Sequence, residues 1–363
     1  MENRIVFHID FDYFYAQCEE IRKPDLQNKP VCVCVFSDRG GDSGAIATAN
    51  YVARKFGVKS GMPISFAKSR LVEQNAVFLP VDFDYYISIS EKAMDIMKEN
   101  SDVFEYVGKD EAYLDVTKKT QENWESAKKL AIKIKKEIRE KVNLSCSVGI
   151  SPNKLVSKIA SDFQKPDGLT IVFPDKINDF LEPMKIRDIP GIGKKTEERF
   201  VEMNLQTIKD VKNLDVFTLT KEFGRKVGTY IFNSVRGIDQ EPVKEREPNI
   251  QYSKIMTLKK DSMDFDFILD DLKQLCNEVY EIISKQKKTF KSVGIQIIQS
   301  DLSIKTKSKM LKNPTSSLDE LKKHSENLLK NILEEQKIPI RRIGVKVSEL
   351  SETKEQSSIT NYF

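Results

Sequence analysis

The chain has 363 residues, of which 39% are apolar and 31% charged, with a net charge of +4. That balance excludes a disordered or membrane-embedded class and suits two or more folding units. No apolar run is long enough to span a bilayer, and the opening MENRIVFHIDFDYF lacks the basic-then-apolar order of an export signal, so the expected setting is the cytoplasm, with no membrane attachment. The five cysteines form no CxxC pair and there are only two histidines, which argues for small buried thiols rather than a disulfide framework or a histidine metal site.

RIVFHID reads as a short strand ending at Asp10, and YFYAQCEEIR as a helix. KPVCVCVF follows as a buried strand, SDRGGDSG as a glycine-rich loop, and ATANYVARKFG as a helix stopping at Gly57. FEYVGKDEAYLDV has strand character, ESAKKLAIKIKKEIREKV is a long helix and LSCSVGIS another strand. Strands and helices alternate to about Phe173, which predicts an α/β body. A helical stretch containing IPGIGKKTEERF comes next, and RGIDQEPVKEREPN reads as an exposed linker. Beyond it, YSKIMTL, a helix with Ile268, Leu272, Leu275, Val279 and Ile283 on one face, FKSVGIQII, DLSIKTKSKM, the helix SLDELKKHSENLLKNILEE and IRRIGVKVSEL give a βαββαβ order. Such an order suits a small α+β domain with its helices on one side of a sheet.

Asp10 ends an apolar strand, and Asp110 and Glu111 lie inside another strand-like segment between Val107 and Leu114. Buried acids cost free energy unless they are paired or bind metal. Two-metal phosphoryl chemistry needs carboxylates from separate strands meeting at one point, with cations about 3.5–4 Å apart; an ordinary turn role is the alternative for each acid taken singly. Asp12 and Asp115 are read as structural. Thr48, Tyr51 and Arg54 recur every third residue on a predicted helix after a glycine-rich loop, a pattern suited to phosphate oxygens. GGDSG is not followed by GK[ST], so a Walker-type loop is disfavoured. Lys158, on a helix after the LSCSVGIS strand, adds a further cation.

From Lys285 to Lys312 eight lysines face a single acid, Asp301. A run like that is either a solvated face or a polyanion surface. Period-two spacing puts Lys305, Lys307 and Lys309 on one strand face, and Arg342 with Lys346 on one face of the last strand. The expectation is that one sheet face carries both sets, with the helices covering the other. IPGIG, with Gly191, Gly193 and the adjoining Lys194, fits a helix–hairpin–helix whose backbone N–H groups approach a DNA phosphate, or an ordinary helix–helix turn.

Taken together, HIDFDYFYAQCEE, GAIATANYVARKFGVKSGMPI, KDEAYLDV, SVGISPNKLVSKIASDFQKPDG, IPGIGKKT and IRRIGVKV resemble the Y-family DNA polymerases, in their DinB branch of archaeal type. The resemblance runs over essentially the whole chain. It implies a right-hand multidomain fold, α/β and α+β: a palm over 1–13 and 81–170, fingers over 14–80, a helical thumb over 171–236, a linker over 237–249, a little finger over 250–350 and a flexible tail over 351–363. It implies lesion-bypass synthesis of low fidelity, without a proofreading exonuclease, from dNTP onto a primer–template by a monomer. Asp10, Asp110 and Glu111, with the Phe11 carbonyl, would hold two Mg²⁺ ions, with Mn²⁺ as a substitute. Tyr13, Thr48, Arg54, Lys158 and the backbone at Phe14 would hold the triphosphate, Tyr15 would be the steric gate against a 2′-OH, and Arg39 and Ala45 would lie near the nascent base pair. The little-finger sheet, with Lys305, Lys307, Lys309, Arg341, Arg342 and Lys346, would grip DNA. The family usually has a serine and an apolar residue before the Asp-Glu pair, where this chain has Gly108 and Lys109. Gln356, Ile359, Tyr362 and Phe363 resemble the peptide bound by sliding clamps of archaeal and eukaryotic type, in which one aliphatic and two aromatic anchors fill an apolar pocket; this points to an archaeal cytoplasm. A flap-type nuclease would need more clustered acids and no steric gate, and a silent DNA-binding adaptor would not need the three acids.

Overall fold

The computed structural model describes residues 4–245 and 247–352. The chain divides into two compact units, Met1–Val35 with Ala45–Arg246, and Phe36–Gly44 with Glu247–Phe363.

The first unit begins with β1 (Val6–Phe11), buried along almost its whole length because it lies at the centre of a sheet. Tyr13 then adopts a left-handed backbone, φ 39°, an unusual conformation for a bulky residue. It turns the chain abruptly into α1 (Phe14–Arg22), so that consecutive residues from Asp10 to Tyr15 serve strand end, turn and helix start. A small three-stranded sheet follows, built from β2 (Val31–Phe36), β3 (Gly44–Ala49) and, after α2 (Tyr51–Lys55) and α3 (Ile64–Arg70), β4 (Val77–Pro80), in the order β3-β2-β4. Asn50 caps α2 by accepting from the Ala53 N–H at 3.0 Å. The helix predicted over ATANYVARKFG is therefore only its second half. Gly44–Ala49 is strand, and Thr48 lies on it, because the β-branched residues Ile46 and Thr48 fit a pleated surface better than a helix.

The chain returns through α4 (Phe83–Glu99), β5 (Val103–Tyr106), β6 (Glu111–Asp115), α5 (Trp124–Val142), β7 (Cys146–Ser151), α6 (Lys154–Phe163) and β8 (Leu169–Ile171). The sheet order is β5-β6-β1-β7-β8, with β1 antiparallel to both neighbours. One face buries Phe7, Ile9 and Phe11 against Tyr86, Met97, Ala131 and Ile134 of α4 and α5. On the other face α6 lies so close to β7 that a Cβ on Gly149 would stand 2.0 Å from the Ser157 carbonyl. FEYVGKDEAYLDV is thus a hairpin rather than one strand, and Asp110 sits in its turn. The remaining helices, α7 (Ile177–Leu181), α8 (Lys194–Glu202), α9 (Ile208–Lys212), α10 (Val216–Phe223) and α11 (Arg225–Ser234), pack around Phe200, Leu219 and Ile231.

The segment read as an exposed linker is held down over its first half. Asn153 donates to the Gly237 carbonyl at 2.9 Å, the Leu155 N–H to Asp239 at 3.0 Å, and the Lys244 N–H to Glu105 at 3.1 Å. Val243 packs with Val6 and Tyr113.

The second unit runs β9 (Gln251–Ser262), α12 (Phe265–Lys285), β10 (Lys288–Gln299), β11 (Ile304–Thr315), α13 (Leu318–Glu334) and β12 (Ile340–Glu352), the expected βαββαβ order. Its sheet is fully antiparallel, β11-β10-β12-β9. The helices bury Leu272, Leu275, Val279 and Leu329 on Val293, Ile295, Ile297, Ile343 and Val345. Ser351 and Glu352, expected in the tail, belong to β12 opposite Thr289 and Lys288.

Candidate active site

The centre of the site is set by strand register. Asp10 pairs directly with Glu111 across β1 and β6, and the Phe11 N–H donates to the Asp110 carbonyl at 2.7 Å. Three carboxylates from one strand end and one hairpin turn are thereby brought together. The crowding has an electrostatic signature. Burial, opposed by Lys165 and reinforced by Asp110, pushes the Asp10 carboxyl up to about 6. Partial desolvation and the neighbouring Glu111 charge also raise Asp110.

Two ammonium groups answer this charge. Lys165 lies 2.6 Å from Asp10 Oδ1 and 2.8 Å from Asp162 Oδ1. Its burial works against the charged form, but Asp10 and Asp162 more than offset that and raise its pKa. Lys158 is ion-paired to Glu111 Oε2. His8, fully buried on β1, bridges Ser161 Oγ at 2.7 Å and Glu111 Oε2 at 3.1 Å. The His8 hydrogen bond and the Lys158 ammonium together hold the Glu111 carboxyl down at about 2.

Lys158, expected at a triphosphate, is ion-paired to Glu111 in this structure. The cation beside Asp10 is Lys165, which sequence reasoning passed over; its place in QKPDG, just after α6, was the available signal. Among the described residues no three His, Cys, Asp or Glu side chains are grouped as a metal cage, and lysines pair with two of the carboxylates. The donor set nevertheless fits hard cations: it is all oxygen and already compensated by positive charge.

Around this centre, the Tyr15 ring stacks on Tyr86 at 4.7 Å and meets Phe83 edge-on at 6.0 Å. Tyr13 donates to Glu20 at 3.0 Å, and its ring touches that of Tyr51 at 5.2 Å. Arg54 lies over the Tyr51 ring and donates to the Ala49 carbonyl at 2.8 Å. The Tyr51 hydroxyl is buried with no hydrogen-bond partner among the described residues. Thr48 thus lies on a strand and Tyr51 and Arg54 on a short helix, not on one helical face, and Tyr51 is the one whose ring meets Tyr13. Ala45 bridges to Pro63. Arg39 belongs to the second unit, donating to the Leu258 carbonyl at 2.8 Å and pairing with Asp261.

Asp12 is structural, as read. Fully buried, it accepts from Ser145 Oγ at 2.9 Å, Ser147 Oγ at 2.8 Å and the Asp167 N–H at 2.9 Å. In IPGIG, Gly191 has φ +83°, which only glycine adopts freely. Gly193 precedes Lys194, the first residue of α8, and Tyr230 donates to the Pro190 carbonyl at 2.5 Å.

The second unit overturns the shared-face expectation. Lys305, Lys307 and Lys309 stand opposite Ile297, Ile295 and Val293, the core residues of β10, and so point to the helix side. Lys307 pairs with Glu335 at 2.5 Å. Arg342 and Lys346 stand opposite Ile298 and Gly294, on the face away from the helices. Alternation fixes which residues share a face, but which face is fixed by the partner strand. On edge strand β11, long lysine stems reach past the core to solvent. Arg341 falls at a break in register. Gln356, Ile359, Tyr362 and Phe363 lie outside the described residues.

The fold and its acidic site are those of a nucleotidyl-transferring enzyme, and the comparisons specify the class. Residues 9–162 match the impB/mucB/samB family, residues 250–360 the C-terminal domain of that family, and residues 187–239 the thumb domain of DNA polymerase-iota. The chain is 72% identical to DNA polymerase IV of Nitrosopumilus maritimus over the full length of both. It is similar to the solved Y-family DNA polymerase chimera Dbh-Dpo4(243-245)-Dbh, with TM-score 0.88 and 37% identity over 96% of this chain and 99% of that one. It is also similar to the insertion ternary complex of Dbh DNA polymerase, with TM-score 0.70 and 37% identity over the same shares. The chain belongs to the impB/mucB/samB family, the Y-family DNA polymerases of DinB type, and is a DNA-directed DNA polymerase. No described helix is long and apolar enough to cross a membrane.

Proposed function

We propose that this chain carries out lesion-bypass synthesis of low fidelity, transferring a nucleotide from dNTP to a primer 3′-OH without a proofreading domain. The observation that carries the chemistry is the three-carboxylate centre Asp10, Asp110 and Glu111, with two lysines neutralising it. These acids and the Phe11 carbonyl would hold two Mg²⁺ ions, which would offset charge on the attacking and leaving oxygens. Lys165 must then leave Asp10, and a triphosphate is the natural new partner for its ammonium. Tyr13, Thr48, Tyr51 and Arg54 would bind the same group, where the Tyr51 hydroxyl could gain the partner it lacks. Tyr15, backed by Tyr86, would refuse a 2′-OH by steric contact.

On this reading 1–13 with 81–170 is the palm, 14–80 the fingers, 171–236 the thumb and 250–350 the little finger. Gly191, Gly193 and Lys194 approach the duplex backbone, and Arg342 and Lys346 track phosphate from the open sheet face. The C-terminal Gln356, Ile359, Tyr362 and Phe363 engage a sliding clamp in an archaeal cytoplasm, the polymerase itself being a monomer. A labelled primer–template with dNTPs and Mg²⁺ tests the reading: the primer lengthens. Shortening would indicate a nuclease, and no change a silent binding module.

A further inference from the structure

Lys109 replaces the apolar residue usual before the Asp-Glu pair, and its surroundings give it a task. Its carbonyl accepts from Ser90 Oγ at 2.5 Å, and its ammonium lies 4.5 Å from the centre of the Phe83 ring. Phe83, Tyr86 and Ser90 share one face of α4, spaced three and four residues apart. The same face holds Tyr15: Tyr86 stacks on it with an interplanar angle of 17°, and Phe83 meets its ring at 78°. The two supports differ in firmness. Tyr86 is fully buried, and its hydroxyl donates to Glu19 at 2.8 Å. Phe83 is 43% exposed, and the Lys109 ammonium lies over its ring.

We infer that Lys109 is a specificity-determining positioning residue: by capping Phe83 it holds that ring edge-on to Tyr15 and so fixes the pitch of the gate against the 2′ position of the incoming sugar. The inference rests on the reading of Tyr15 as steric gate. Lys109 touches no sugar itself. Its effect passes through Phe83, and removing it should loosen rejection of ribonucleotides while leaving deoxynucleotide use nearly intact. An ammonium on an open ring limits the effect to about two- to fivefold in discrimination.

The test is single-nucleotide incorporation of dCTP and rCTP opposite template G, taking the ratio of kcat/KM for the two sugars. Lys109→Met, which keeps the stem and removes the charge, should lower the ratio by about two- to fivefold, through faster rCTP use. Lys109→Arg should retain the wild-type ratio, since guanidinium also caps an aromatic face. Phe83→Leu should lower the ratio, and Lys109→Met added to Phe83→Leu should lower it no further, because both act through one ring. Tyr15→Ala is measured alongside. If Tyr15→Ala abolishes discrimination while Lys109→Met leaves it unchanged, the gate stands and the inference is wrong. Multiplying effects of the two substitutions would also overturn it, placing Lys109 on a route independent of Phe83. If Tyr15→Ala leaves discrimination unchanged, the gate reading itself fails.

Discussion

Asp12→Ala is expected to be among the most destabilising single changes in the first unit. Asp12 is fully buried and receives two serine hydroxyls and one backbone N–H, tying the start of α1 to β7 and to the turn at Asp167 that follows Lys165. Hydrogen bonds to an ionised acceptor are worth about 1.5–3 kcal/mol each, and an orphaned buried donor costs about 1–3 kcal/mol. The half-buried Ser145 hydroxyl can turn toward solvent, whereas the Asp167 N–H cannot turn. Allowing that recovery, the net loss is about 4 kcal/mol, a large share of an ordinary domain's stability of about 5–15 kcal/mol. Trp124 is the sole tryptophan of the chain and lies in the first unit, so its fluorescence follows that unit alone. With an m-value of about 3 kcal/mol/M, the urea midpoint should fall by about 1.3 M. Asp12→Asn should fall by about half as much, since an amide keeps one acceptor. Ser145→Ala added to Asp12→Ala should cost less than about 0.5 kcal/mol more, since Asp12 is what its hydroxyl bonds. A midpoint shift below about 0.3 M for Asp12→Ala would refute the network's role.

Other outcomes can be checked separately. Arg342→Ala and Lys346→Ala should each lower the salt slope of duplex binding by about 0.9, alike for all sequences, as read by fluorescence anisotropy from low to moderate salt. Lys307→Ala should lower it less, because Lys307 faces the helix side and is paired with Glu335; a larger loss at Lys307 would reverse the choice of face. A chain ending at Glu352, which spares β12, should copy a short primer–template as well as the full chain but lose stimulation by a cognate sliding clamp on a long circular template. Equal stimulation of both chains would exclude the terminal aromatics as the clamp peptide.

The sequence carried much of this architecture where one residue's neighbours along the chain decide its state. The βαββαβ order of the second unit could be read from period-two and helical spacing, since its strands are long and its helices one-sided. Asp10, Asp110 and Glu111 stood out because acids at apolar strand positions are costly; the β1–β6 register pairs Asp10 with Glu111, and the Phe11 N–H bond to the Asp110 carbonyl ties the hairpin turn beside them. What escaped was decided by partners distant in sequence. Lys158 and Lys165 both follow the same strand, and only the packing of α6 on β1 separates a counter-ion of Glu111 from a counter-ion of Asp10. His8, one of the two histidines counted against a histidine metal site, proved to be a buried bridge behind Glu111. Thr48 fell at a strand–helix junction that the left-to-right spacing concealed. The left-handed Tyr13 has no local sequence signal at all, since its conformation is imposed by the tight passage from β1 to α1.

The central claim is that the three carboxylates perform the chemistry and that their loss leaves DNA binding untouched. The direct measurement is single-nucleotide incorporation in Mg²⁺ by the wild-type chain and by Asp110→Asn, with primer–template affinity measured on the same samples by anisotropy. Asp110→Asn keeps the shape of the hairpin turn and removes one charge. The expected result is a fall in incorporation rate of about a thousandfold, with DNA affinity within about threefold of wild type; near-normal incorporation by Asp110→Asn would contradict the claim.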